Sequence, residues 1–172
     1  MCIRDRYPYE CWEQRLSRGV AAAHYLALRK YLPANLAWPE AEAVVKQTLS
    51  DLSQFQTPSG GMGFYTARED TASPYLSAYT ALALGWLREL GYAVPEKEEE
   101  KLLSYLAETL KTDLFPTFFS PGMRSSVRAV ALAALSARGR TTFDDLSRYK
   151  EASRTMNLFG KAMYLAAASR VP

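Results

Sequence analysis

Cys11 and Gln14 are the residues of this chain whose types and spacing could do chemistry together. They lie in the octapeptide Tyr-Pro-Tyr-Glu-Cys-Trp-Glu-Gln, residues 7–14. Residues three apart share one face of a helix, so the thiol can reach the side-chain amide. A helix N-terminus favours negative charge and therefore the thiolate. Attack of the thiolate on the Gln14 carboxamide would expel ammonia and leave an internal thioester, a stored acyl electrophile.

The elements that must position this pair are helices, which the sequence predicts almost throughout. Ser73-Pro74, Pro39 and Pro95 (each followed by Glu), Asn157, and Ser125 or Ser126 mark helix starts, and Gly91 and Gly139 mark helix ends. We expect helices over residues 11–32, 39–55, 74–90, 95–110, 125–137 and 157–170. Residues 56–65 contain three glycines and predict a loop or tight hairpin. Because only the residues around Phe64 alternate with period two, the fold class is predicted to be all-α.

Four segments are crowded with Ala and Leu and carry few charges: 19–28, 77–87, 127–135 and 158–168. The helices between them are more charged and amphipathic. This alternation predicts paired helices with one buried and one solvated member, as in a ring or superhelix of helix pairs, and a plain bundle ranks second. At about 45 residues per pair, the chain holds fewer than four pairs, so we expect a partial alpha/alpha toroid.

Residues 1–6, Met-Cys-Ile-Arg-Asp-Arg, match the translation of a common transposase adapter. We interpret them as an adapter-derived scar on a metagenomic fragment and exclude them from fold reasoning. Residues 7–172 are then one incomplete helical domain, and Cys11 is its only cysteine. Removing two Arg and one Asp lowers the formal net charge from +3 to +2.

The composition bounds the function classes. Hydrophobic residues make up 48% of the chain and charged residues 23%, as in ordinary globular proteins. The charge is too small and too evenly spread to favour nucleic acid, and no apolar run is long enough to cross a bilayer. No His/Cys/Asp set has metal-ligand spacing, so we expect neither metal nor cofactor.

The long motif of residues 7–14 resembles the thioester motif of bacterial alpha-2-macroglobulins. The resemblance continues through 60–65 (Gly-Gly-Met-Gly-Phe-Tyr), 73–79 (Ser-Pro-Tyr-Leu-Ser-Ala-Tyr) and 90–95 (Leu-Gly-Tyr-Ala-Val-Pro), and more loosely through 129–139 and 158–168. It implies the thioester-containing domain, an alpha/alpha toroid of six helix pairs shared in shape with complement thioester proteins and terpenoid cyclases.

The resemblance also implies a function. The full proteins of this family are periplasmic or cell-envelope-associated protease traps, which act once rather than as enzymes. A cut bait segment triggers a rearrangement, and the thioester then captures the protease covalently. We therefore expect target proteases and the remaining domains of the full-length protein as partners. The membrane would be reached only through an anchor outside this chain, and shielding domains would lie outside it too.

The resemblance assigns the thioester to Cys11 and Gln14 and places Glu13 within the motif. Glu13 either holds the local turn or is an ordinary first-turn acid. Tyr7 and Tyr9 either pack over the thioester and exclude water or make ordinary aromatic contacts, and Trp12 could also shield it.

Two motif positions depart from the family pattern: Glu10 replaces the usual Gly, and Trp12 the usual Leu or Gly. The Glu10 carboxylate disfavours a thiolate beside it. Many complement relatives also carry a catalytic His about a hundred residues downstream, whereas His24 is the only histidine here.

Three other interpretations stay open on the sequence. A helical-toroid enzyme of the cyclase or prenyltransferase kind would need a cavity lined by acids or a zinc site. A degenerate interaction module would have no thioester. A Cys11–His24 protease pair lacks an Asn or Asp partner motif around either residue, so we expect His24 to be structural.

Overall fold

The computed structural model describes residues 10–66, 72–113 and 115–172, and within these ranges it contains seven α-helices and no β-strand. The helices are α1 (Trp12–Leu28), α2 (Ala41–Phe55), α3 (Pro74–Glu89), α4 (Glu96–Thr112), α5 (Pro121–Ser136), α6 (Phe143–Arg148) and α7 (Leu158–Ala168). Three 3-10 turns supplement them, and a single bridge between Gln56 and Met62 closes the glycine loop. The predicted all-α class is confirmed.

The odd-numbered helices form one continuous row, in which α1 packs against α3, α3 against α5, and α5 against α7. The even-numbered helices flank this row: α2 packs against α1, α4 against α3 and α5, and α6 against α7. An inner row with outer partners is the arrangement of helix pairs in an alpha/alpha toroid, which confirms the partial toroid.

The core is concentrated on α3 and α5. Nearly every residue of α5 from Ala129 to Ser136 is buried, and so is the run from Leu76 to Ala78 and from Thr80 to Leu84 in α3. By contrast, α4 buries only one stripe and exposes its charged face. The composition of α3 and α5 therefore reflects burial on several sides, as predicted, whereas in segment 19–28 of α1 only Gly19, Ala22 and Ala23 are buried.

α7 differs from this expectation. It is rich in Ala and Leu, yet only Gly160 and Ala167 are buried, while Leu158 and Leu165 are 85% and 70% exposed. The helix packs against α5, α6 and the preceding 3-10 turn. Within the described residues, its opposite face has no helix against it.

The start of α5 was predicted one turn too late. Ser120, rather than Ser125 or Ser126, caps this helix and accepts the backbone N–H of Met123 at 3.2 Å. Pro121 occupies the first helical position, where its fixed φ and missing N–H are tolerated. The same Ser-Pro pair opens α3 at Ser73, where it was recognised.

A buried carboxylate ties the far ends of three helices together. Glu99 of α4 is almost completely buried and binds the Arg88 guanidinium of α3 through both oxygens, at 2.7 and 2.5 Å. Arg138, just beyond α5, lies 3.6 Å away. Glu99 lies in the first turn of α4, where acids are favoured. Its pairing with Arg88 joins α4 to α3, because a buried carboxylate must be neutralised by a partner.

Candidate functional site

Cys11 is the N-cap residue of α1. Its backbone is extended, with φ −77° and ψ 162°, and the helix begins at Trp12. The Cys11 side chain faces the backbone N–H of Gln14, and the Gln14 side chain returns to the backbone N–H of Cys11. This reciprocal arrangement is a capping box in which cysteine stands where serine or threonine is usual.

The capping box orients the Gln14 amide. Gln14 Oε1 accepts the backbone N–H of Cys11 at 3.2 Å, which holds the amide carbonyl back over the N-terminus of the helix. The Gln14 side chain is exposed, and Cys11, a free thiol, is half-buried. The helix thus brings together the two residues that the motif singled out and leaves them accessible to small molecules.

Trp12 anchors the first turn of α1 to the protein core. Its side chain is fully buried, Nε1 donates to Thr80 Oγ1 of α3 at 2.9 Å, and the ring stacks on Phe55 of α2 at 5.1 Å. Its backbone N–H donates to the Phe64 carbonyl at 2.8 Å. The structure gives Trp12 an anchoring position in the core, and a shielding role for it stays a prediction.

Two arginines of α1 surround the Glu10 carboxylate. Arg15 Nε lies 3.6 Å from one of its oxygens and Arg18 Nη1 lies 4.0 Å from the other. Arg15 is itself fixed by the buried Asp51 of α2, at 2.5 Å. These cations offset the negative charge next to Cys11, which the sequence alone presented as an obstacle to the thiolate.

Glu13 is held by a residue that the motif did not predict. The Tyr75 hydroxyl of α3 donates to Glu13 Oε1 at 2.8 Å. Burial, together with the Glu13 carboxylate, raises the pKa of Tyr75 to about 12. The segment 73–79 had been matched to the family as a whole, and no feature of it marked Tyr75 individually.

Replacing Tyr75 with Phe should cost about 1 kcal/mol of stability at neutral pH, because a charge-assisted hydrogen bond is weakened by exposure to solvent. The raised pKa favours the folded state below pH 10, and this contribution should disappear as pH rises from 10 to about 12. Denaturant unfolding across this range, with tyrosinate absorbance, measures both effects. Tyr31→Phe removes a hydroxyl from a largely exposed ring and should change neither the stability at neutral pH nor its dependence on pH above 10. An equal loss of stability in Tyr31→Phe would contradict a stabilising role for the Tyr75–Glu13 hydrogen bond.

The remaining candidates do not join the site. His24 is exposed and lies thirteen residues along α1 from Cys11, about 20 Å away at 1.5 Å per residue, so the two cannot form a catalytic pair. Tyr7 and Tyr9 lie outside the described residues. In the part of the chain that the structure describes, no group of His, Cys, Asp or Glu could hold a metal ion, and no helix is long and apolar enough to cross a membrane.

A cavity of about 850 Å³ opens beside the first turns of α1, at the N-terminal ends of α3, α5 and α7. Among the residues that the structure describes, its lining is aromatic, aliphatic or neutral polar, without a charged side chain. The lining residues are Phe64, Ser73, Tyr75, Ala78, Tyr79, Phe118, Phe119, Ser120, Gly122, Met123, Ser126, Val127, Val130, Thr155, Met156, Asn157 and Phe159. Sequence reasoning missed this cavity, because its walls come from segments far apart in the chain.

The chain has the same fold as segments of several solved bacterial alpha-2-macroglobulins. Salmonella alpha-2-macroglobulin reacted with methylamine has a TM-score of 0.80 at 21% identity, over 98% of this chain and 11% of its own. Native Escherichia coli alpha-2-macroglobulin, from domain MG7 to the C-terminus, has a TM-score of 0.78 at 20% identity, over 96% of this chain and 27% of its own. The E. coli protein activated by porcine elastase has a TM-score of 0.72 at 22% identity, over 95% of this chain and 16% of its own.

These similarities establish the fold. The chain has the fold of the corresponding segment of bacterial alpha-2-macroglobulins and spans about a tenth to a quarter of the length of these structures. The resemblance stated from the motif is confirmed at this level. At the level of sequence, no family model and no curated protein matches the chain.

Proposed function

We propose that this chain is the thioester-bearing segment of a bacterial protease inhibitor, which captures its target through an acyl group stored between Cys11 and Gln14. The observation that carries the proposal is the capping box at the N-terminus of α1, in which the Cys11 side chain faces the backbone N–H of Gln14 and the Gln14 amide oxygen accepts the backbone N–H of Cys11. The fold it shares with alpha-2-macroglobulins supports the same conclusion.

The geometry of the first turn supports the following route to the thioester. The Cys11 thiolate attacks the Gln14 carbonyl carbon, the carbon–nitrogen bond breaks, and the nitrogen leaves as ammonia with the proton of the thiol. The developing oxyanion is the Gln14 oxygen that already accepts the Cys11 N–H at 3.2 Å. A preorganised donor at this position stabilises the intermediate, and the helix dipole adds to it.

Capture transfers the Gln14 acyl group from the Cys11 sulfur to an amine nitrogen. An amine nitrogen attacks the same carbonyl carbon, the carbon–sulfur bond breaks, and Cys11 becomes a free thiol. One chain therefore acts once, as an inhibitor and not as an enzyme. We propose target proteases as covalent partners, because the E. coli protein of the same fold was solved after activation by porcine elastase. We further propose that the parent protein is periplasmic or associated with the cell envelope, and that further domains shield the thioester.

The identity of residue 14 tests this proposal in the chain itself. Each thioester that forms leaves a permanent mark: hydrolysis converts Gln14 to Glu, and methylamine converts it to N-methylglutamine, about 14 Da heavier than Gln. We expect the chain refolded with methylamine to carry the methylamide with a free Cys11 thiol. A thioester that survives would itself be about 17 Da lighter than the free form.

Cys11→Ser is the matched control, because it keeps a capping side chain at the same position. In this variant Gln14 should remain unmodified under identical conditions. An unchanged Gln14 in the Cys11 protein, with or without methylamine, would refute the thioester and leave an interaction module. The cyclase alternative receives no support from the described residues that line the cavity, because none of them is an acid.

A further inference from the structure

Three hydrogen bonds join the wall of the cavity to the first two turns of α1. Tyr75 of the lining donates to Glu13 at 2.8 Å, and the Tyr79 hydroxyl lies 2.9 Å from Ser17 Oγ. The carbonyl of Phe64, a third lining residue, accepts the first N–H of the helix at 2.8 Å. The lining residues therefore contact Trp12, Glu13 and Ser17, so the cavity adjoins the helical turn that begins with Cys11 and contains Gln14.

The chemistry of the cavity is that of an apolar binding site. Its volume of about 850 Å³ lies within the range of small-molecule pockets, and the described residues that line it carry no charge. Large apolar side chains remain open to solvent at its rim: Phe118 is 78% exposed, Phe159 50% and Met123 47%. Burying these groups against an apolar ligand is favourable, whereas a charged ligand would lose its hydration without gaining a partner.

We propose that this cavity binds the apolar substituent of the primary amine that accepts the Gln14 acyl group. The inference rests on the proposed thioester and names its substrate class: alkyl and aryl-alkyl amines, of which the four-carbon stem of lysine is the protein example. The amine lone pair forms the new amide bond at the Gln14 carbonyl carbon. The bonding pair of the broken carbon–sulfur bond goes to Cys11 Sγ, and the amine proton passes to that sulfur or to water.

The substituent then determines the rate of capture. Each methylene buried in the transition state multiplies the rate by up to about fourfold. Methylamine has no chain to bury, while 3-phenylpropylamine has three methylenes and a ring at nearly equal basicity. We expect the phenylpropyl adduct to form at least about tenfold more than the methyl adduct when the two amines compete at equal concentration.

The competition is performed by refolding the full chain in an equimolar mixture of the two amines and weighing the peptide that contains residue 14. Phe159→Ser opens the cavity wall and should reduce the adduct ratio toward one. Phe143→Ser removes the same side chain from an exposed position that does not line the cavity, and should leave the ratio as it was. An adduct ratio near one in the unmodified protein would overturn the inference and leave the thioester intact.

A second measurement separates the cavity from the thioester. In a Cys2→Ser background, the free Cys11 thiol is alkylated with chloroacetamide or with N-(3-phenylpropyl)chloroacetamide. If the cavity binds the apolar group, the second reagent should react at least about tenfold faster, and Phe159→Ser should abolish the advantage. Equal alkylation rates would overturn the inference. Faster alkylation with no adduct at residue 14 would instead refute the thioester, and the acyl-acceptor role with it.

Discussion

We expect Cys11→Ala to abolish the proposed capture of amines at residue 14 and His24→Ala to leave its yield nearly unchanged, which is the largest effect we expect in the molecule. Without the thiol, no thioester forms and the Gln14 amide is inert to amines at neutral pH. His24 is exposed on α1, about 20 Å from Cys11, and cannot act on the acyl group. Peptide mass analysis after refolding with N-acetyl-lysine methylamide measures both yields.

The distance to His24 also predicts the kind of bond formed. Hydroxyls attack acyl groups slowly at neutral pH without a base, whereas unprotonated amines are strong nucleophiles. The chain contains no histidine after His24 to activate a hydroxyl. With lysine amide and glycerol present together, we expect amides with little ester. Neutral hydroxylamine cleaves esters and spares amides, so adducts that it releases would show that another group activates hydroxyls.

The fold could be predicted from the sequence to the level of helix pairs, because the amino-acid composition of a helix indicates how many of its sides are buried. The inner helices α3 and α5 are packed on several sides and therefore carry few charges. The same argument overestimated the burial of α7, since composition reports the environment a helix is suited to and not the neighbours it has. Boundaries followed the capping residues, and α5 was placed too late because Ser125 and Ser126 also resemble caps.

The candidate site was predictable where its residues are close in sequence. Cys11 and Gln14 meet because helical geometry fixes their separation. Tyr75 and the cavity could not be predicted, since they depend on how α3, α5 and α7 pack beside α1. The arginines around Glu10 illustrate the same limit: their charges follow it in sequence, yet only the contact with Asp51 fixes where Arg15 points.

Replacing Trp12 with Ala should lower the free energy of unfolding by about 3–5 kcal/mol, the usual cost of truncating a buried aromatic side chain to alanine. Trp12 is fully buried, stacks on Phe55 and donates to Thr80, so the variant loses apolar contacts and leaves a buried hydroxyl with fewer partners. Trp12→Phe keeps a ring and should cost about 1–2 kcal/mol for the lost hydrogen bond. Denaturant unfolding followed by circular dichroism measures all three proteins.

The loss should also reach the site, because Trp12 is the first residue of α1 and holds the turn in which Cys11 and Gln14 meet. We expect Trp12→Ala to reduce the residue-14 adduct several-fold under conditions where the overall helix content is native. Trp38→Ala is the control: it removes the same side chain from a half-buried position against Tyr25, outside this turn. It should destabilise the protein less and leave the adduct yield unchanged. Equal loss of adduct in both variants would show that global stability, and not the anchored first turn, controls the chemistry.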